Sequence, residues 1–210
     1  MILVVTVRDL LFVTWEVPPA QLSAVLPDDL EPELMGSTAL ITLSMARAVE
    51  GRLGRLPVPR FSKLTVHTYV TGAAGAGLCF LDSRVSWSAL GRGLVGIPFQ
   101  STRIRARRGI AEAPALGTSV RYRPAGFAKP PQLESGPIGS HEIAYFESRS
   151  LFRFVARHSP ISWEKADLLS SPRYGSLDAL GLEVNAPCSV LYAERVSFRA
   201  ELPPALVEGR

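Results

Sequence analysis

The stretch Thr65-Val-His-Thr-Tyr-Val-Thr71 places an imidazole and a phenol two residues apart in an alternating pattern. In an extended chain His67 and Tyr69 leave the same face about 7 Å apart. That spacing suits a proton donor and acceptor, since an imidazole titrates near neutral pH. A plainer reading treats the same face as half-buried, with His67 hydrogen-bonded to backbone. Further along, Arg103, Arg105 and Arg107 alternate behind Phe99 and Gln100. Arg103, nearest a pocket mouth, reads either as a partner for a substrate carboxylate or, with the other two, as part of a solvated basic face. Glu147 reads either as a second charged group of a cavity or as a surface carboxylate beside Arg149. Only Lys63, Lys129 and Lys165 offer an amine, against 20 arginines.

Other chemistries lack their residues. There is no Gly-x-Ser-x-Gly elbow, no phosphate-binding loop and no dinucleotide fingerprint. No His, Cys, Asp or Glu pair has metal-ligand spacing with a supporting second pair, so neither a metal site nor a cofactor is expected. Cys79 and Cys188 each sit in an apolar run and read as reduced core residues. A net charge of +4 over 210 residues does not call for a nucleic-acid partner, and arginines with few interleaved aromatics are a weak sign of one. No apolar run reaches the length of a membrane span. The apolar start, Met1 to Val17, carries Arg8, Asp9 and Glu16 and lacks a basic leader, so it reads as a strand and the compartment as cytoplasmic.

These side chains need elements to hold them. The pair Pro18-Pro19 opens a short helix over Ala20–Leu26, which Pro27 stops. Ala39–Ala46 reads as a buried strand, and Thr65–Thr71 with Leu78–Leu81 as a hairpin across a Gly-rich turn. A helix is expected over Ser83–Leu94, a strand over Phe99–Arg107, and an antiparallel partner for it at Ser119–Arg123. The Pro- and Gly-rich segment Pro124–Gly139 reads as a flap, too polar and broken for a core element. His141–Phe146 is expected as a short helix, Leu151–Ala156 as a strand, Asp178–Leu182 as the end of a helix and Ser189–Ala200 as a closing strand. The sum is one α+β domain over residues 1–210, mainly antiparallel, with a few short helices. Curling the sheet into a barrel or cone would remove its exposed edges.

The order of blocks is itself informative: "TWEVPPAQLSAVLPDDLEPELMGSTALITL", then "HTYV", a Gly-rich turn, "LCFLDS" and "LVGIPFQSTRIRAR". It resembles the acetoacetate decarboxylase-like superfamily, and most closely its uncharacterised branch, over roughly residues 10–108 and more weakly over 140–200. In acetoacetate decarboxylases a Gly-x-Pro hinge is followed by two lysines, the first forming a Schiff base and the second keeping it deprotonated. Here the hinge Gly96-Ile97-Pro98 is followed by Phe99 and Gln100, which form no imine. The family also carries a glutamate on the strand matching Thr65–Val70, where this chain has His67 or a direct neighbour.

The resemblance implies a central cavity lined by His67, Tyr69, Phe80, Phe99, Gln100 and Arg103. One expectation is a Schiff-base-independent cyclase, isomerase or hydro-lyase acting on a keto or polyketide-like compound. His67 would move protons, and Arg103 or Gln100 would hold the developing oxyanion. The other is a non-catalytic small-molecule binder on the same scaffold. Self-association into a homo-oligomer is implied by the family, and no nucleic-acid or membrane partner is.

Overall fold

A computed structural model describes residues 1–87, 99–147 and 150–207. Seven strands carry the site. They are β1 (Ile2–Val17), β2 (Thr38–Leu53), β3 (Phe61–Gly72), β4 (Gly75–Val85), β5 (Ile143–Glu147), β6 (Leu151–His158) and β7 (Ser189–Glu201). Their ladders form a closed circuit. β1 pairs with β2, β2 with β3, and β3 with β4, all antiparallel. β4 joins β5 in parallel, and β5–β6, β6–β7 and β7–β1 return antiparallel.

The circuit has a wing. Glu164–Leu168 pairs with β7 and with Thr118–Phe127. Thr118–Phe127 in turn pairs with Ile110–Ala113, and that strand with Arg105–Arg107. Among the described residues the α-helices are two single-turn pieces, Pro19–Ser23 and Gly175–Asp178. The fold is therefore mostly strand.

Two bulges set which side chains face inward. In β1, Leu3, Val5 and Val7 point into the circuit, and beyond them Leu10 and Phe12 do. The change from odd to even positions occurs at Asp9, whose φ is +57° and where the ladder to β2 slips between Arg8 and Leu11. One extra residue in one strand reverses its alternation. Asp9 is buried and held from two sides: Tyr192 Oη donates to Oδ1 at 3.2 Å, and Arg47 Nη2 donates to Oδ2 at 3.2 Å. The second bulge is in β4, where Val66 pairs with Asp82 and His67 with Phe80, so that Leu81 is skipped.

Several sequence expectations are corrected. Ser83–Val85 finish β4 and do not start a helix; the rest of that expected helix, and the Gly96-Ile97-Pro98 hinge, lie outside the described residues. Phe99–Arg107 is not one strand, because Gln100–Ser101 and Arg105–Arg107 are separate pieces. Ser119–Arg123 pairs with Ile110–Ala113 in place of the expected partner. His141–Phe146 contains strand, not helix: Ile143–Glu147 is β5, buried on both faces between β4 and β6, where alternation is lost and a short apolar run is ambiguous. Pro124–Gly139 is not wholly peripheral, since Leu133 and Ile138 pack with Tyr69 and Trp163 in the core. Cys188 is exposed, its Sγ donating to the Thr14 carbonyl at 3.3 Å, while Cys79 is buried as expected.

Candidate functional site

Inside the circuit lies a cavity of about 200 Å³. All seven strands contribute to its wall, which is dominated by Phe12, Phe61, Phe80, Phe99, Phe154 and Phe198. Polar chemistry enters through few side chains, namely Ser44, Lys63, His67, His141, Glu142 and His158.

His67 is 2% exposed and reaches the cavity from β3. Its ring packs edge-on against Phe12 at 5.5 Å, Tyr69 at 5.7 Å and Phe80 at 6.3 Å between centroids. Among the described residues neither Nδ1 nor Nε2 has a hydrogen-bond partner. A buried polar group left unpaired costs stability, so such a ring calls for a partner from outside the protein. Burial, together with the nearby Lys63 and His141, pulls its pKa down to about 3. The ring is thus neutral at physiological pH, with one donor and one acceptor nitrogen. The expectation of an imidazole near its ordinary value is corrected by this desolvation.

Lys63 shares the strand and the odd parity of His67. It is half-buried and lines the cavity, with Nζ 4.7 Å from the centroid of Phe80 and 5.8 Å from that of Phe99. Among the described residues it makes no salt bridge and no side-chain hydrogen bond. Burial lowers its pKa to about 8.

His141 closes one end of the cavity. Its Nε2 lies 3.2 Å from Glu33 Oε2 and 2.6 Å from Ser135 Oγ, and Glu33 Oε1 accepts the Ser135 N–H at 2.7 Å. An Nε2–H shared between Glu33 and Ser135 leaves Nδ1 as the acceptor of a neutral ring. Burial lowers the His141 pKa against the opposing pull of Glu33. The network ties the Pro- and Gly-rich segment to Glu33, just beyond the two-residue strand Glu31–Pro32.

The structure therefore brings His67, Phe80 and Phe99 to one wall. Tyr69 lies behind that wall: it is buried, its Oη is 3.2 Å from Thr42 Oγ1, and burial raises its pKa strongly. Three expected residues lie elsewhere. Arg103 is exposed in the link between two short strands, Gln100 is exposed and accepts a hydrogen bond from Arg84, and Glu147 is exposed at the end of β5. None of the three lines the cavity.

The sequence marks Lys63 only as one of three amines and gives no sign of His141 or Glu33. Parity would have found Lys63, because positions 61, 63 and 67 share one face of β3. Nothing local in the sequence pairs Glu33 with His141, 108 residues away.

The sequence matches the DUF2071 family, described as an uncharacterized conserved protein (COG2071), over residues 5–197. Among solved structures, an acetoacetate decarboxylase-like enzyme from Sphingomonas wittichii RW1 is 16% identical, with a TM-score of 0.58 over 99% of this chain and 94% of that one. The enduracididine biosynthesis enzyme MppR complexed with pyruvate is 14% identical, with a TM-score of 0.63 over 99% and 91%. Acetoacetate decarboxylase from Legionella pneumophila subsp. pneumophila str. Philadelphia 1 is 12% identical, with a TM-score of 0.65 over 98% and 87%. At such identities the likeness shows a common fold. No curated protein matches the sequence.

Proposed function

The chain belongs to the DUF2071 family and has the acetoacetate decarboxylase-like fold, and from that premise we propose that it is an enzyme acting on a small keto or polyketide-like compound inside the cavity. The strand circuit is read as a barrel, with the cavity as its lumen. One observation carries the proposal: His67 is fully buried at the cavity wall with both ring nitrogens unpartnered among the described residues. A neutral imidazole there donates a hydrogen bond to a substrate oxygen as charge develops on it, and accepts a proton at its other nitrogen only weakly. Its part is polarisation first and proton transfer second.

The reaction is read as imine-independent, of cyclase, isomerase or hydro-lyase type. Phe99 and Gln100 stand where the resembling decarboxylases carry their lysines, and neither bears an amine. Arg103, Gln100 and Glu147, exposed and away from the wall, are not assigned roles in this reading. No metal and no organic cofactor enters it, and the protein is taken as a cytoplasmic homo-oligomer with no nucleic-acid or membrane partner. None of the described helices is long and apolar enough to cross a membrane.

A second reading, a non-catalytic binder, is favoured by the mainly apolar wall and by the low basicity of His67. The two readings part on His67→Gln. An enzyme loses turnover by about 10²–10⁴-fold while ligand affinity stays within several-fold. A binder shows altered affinity and no turnover in the wild type on any keto substrate tried.

A further inference from the structure

We infer that Lys63 is the counter-ion for a ligand carboxylate, and that the cavity therefore selects compact apolar monocarboxylates over their neutral analogues. This rests on the reading of the cavity as a small-molecule site.

Among the described residues the Lys63 ammonium has no salt-bridge partner. Lys63 reaches the cavity from β3, and the groups around Nζ are the faces of Phe80 and Phe99. Aromatic faces attract a cation, but they replace only part of its lost hydration. The nearby carboxylates are engaged elsewhere. Glu142, at the cavity rim, is exposed and pairs with Arg157 at 3.2 Å. Glu33 is held by His141 and Ser135. Residues 88–98, outside the described structure, include no Asp or Glu.

A ligand carboxylate supplies what the protein withholds. It would accept charge-assisted hydrogen bonds from Nζ, strengthened by the apolar surroundings. The one N–H of the neutral, unpartnered His67 ring, four residues along the same face, would donate to a second oxygen of the ligand. Size follows from volume, since a cavity of 150 Å³ accommodates benzene, so this one suits a ring or branched chain of about six to ten non-hydrogen atoms. The charge is single. Among the described residues Lys63 is the one Lys or Arg lining the cavity, so a second carboxylate would have to lie against side chains such as Val5, Val7, Ala46 or Phe154.

The test uses keto-free probes, so that no imine forms. Calorimetry at pH 6.5 compares phenylacetate with phenylacetamide, and 3-methylbutanoate with 3-methylbutanamide, on the wild type and on Lys63→Met. The wild type is expected to prefer each acid by about tenfold or more. In Lys63→Met the preference disappears while amide affinity stays within a few-fold. Equal binding of acid and amide by the wild type overturns the role of Lys63 and leaves the cavity reading standing, as does a preference that survives in Lys63→Met. If neither acid nor amide binds the wild type, both readings fall together.

Should Lys63→Met not fold, the wild-type pH profile decides. Among the described residues the other titratable groups lining the cavity with Lys63 are His67, on the same strand, and His141, His158 and Glu142, and burial lowers the pKa of His67 and of His141. The acid's advantage over its amide should persist near pH 7 and decline as pH rises past about 8, where free Lys63 loses its proton. A ratio unchanged up to pH 10 overturns the inference.

Discussion

Lys63 holds its ammonium nitrogen 5.8 Å from the ring centroid of Phe99. Phe99 leads into Gln100–Ser101, which pairs with β4, and the amine reaches its ring from β3 on the far side of β4. The ring completes the cavity wall. Phe99→Ala is therefore expected to weaken binding of an apolar ligand more than it weakens folding, since it enlarges space that is already open. A buried core phenylalanine would instead cost about 3–5 kcal/mol of stability. Paired thermal melts and ligand titrations check this, and a large fall in melting temperature at unchanged affinity would place Phe99 in the core.

Lys63 is also a stability liability that depends on pH. Its pKa of about 8 in the fold lies below the ordinary 10.5, so the unfolded chain binds the extra proton and stability rises with pH between those values. Ligand-free Lys63→Met is expected to be more stable than the wild type at pH 7 by about 1–3 kcal/mol. The difference should shrink towards zero as pH approaches 10.5. Denaturant melts of both proteins at pH 7, 8.5 and 10 measure it, and a destabilised variant at pH 7 would show that the amine has a partner in the free protein.

His67 runs in the same direction at lower pH. A folded pKa near 3 against an ordinary 6.5 means that burying the neutral ring favours unfolding once the unfolded chain takes up the proton. Stability contributed by keeping the ring neutral is present above pH 6.5 and is lost progressively as pH falls towards 3. Nitrogen-15 shifts of labelled histidine should show one ring that stays neutral from pH 7 to pH 4.5. A His67 ring that titrates near 6.5 would contradict the buried, unpartnered assignment.

The bulge at Asp9 supplies a mechanical prediction. Asp9→Ala leaves the Tyr192 hydroxyl without its acceptor and puts alanine at a φ of +57°. It should cost about 1–3 kcal/mol, whereas Asp9→Asn, which tolerates that backbone and still accepts from Tyr192, should cost less. Equal losses for the two would detach the bulge from its side-chain support.

Much of this was legible in the sequence where alternation was clean. The β3–β4 hairpin follows from a period-two pattern and turn residues, the opening strand from an apolar run, and the order of blocks points to the superfamily. Legibility failed where burial on both faces erased the alternation, as in β5, and where a bulge reversed it, as at Asp9. It also failed for Arg103, because alternation cannot tell a strand that continues from one that breaks at Thr102–Ile104. The pairing of Glu33 with His141 depends on how the circuit closes, which no local spacing encodes.

The most direct test of the account is a crystal structure of the protein with 4-methyl-2-oxopentanoate, a compact keto acid with a branched apolar end. The ligand is expected inside the circuit, its keto oxygen within hydrogen-bond reach of a His67 nitrogen, its carboxylate at Lys63 Nζ and its branched end among Phe12, Phe80 and Phe154. No bond should join the keto carbon to Nζ. A ligand seated instead in the surface groove between Phe127 and Trp163 would contradict the cavity reading, and continuous density from Lys63 to the keto carbon would replace the counter-ion with a covalent amine.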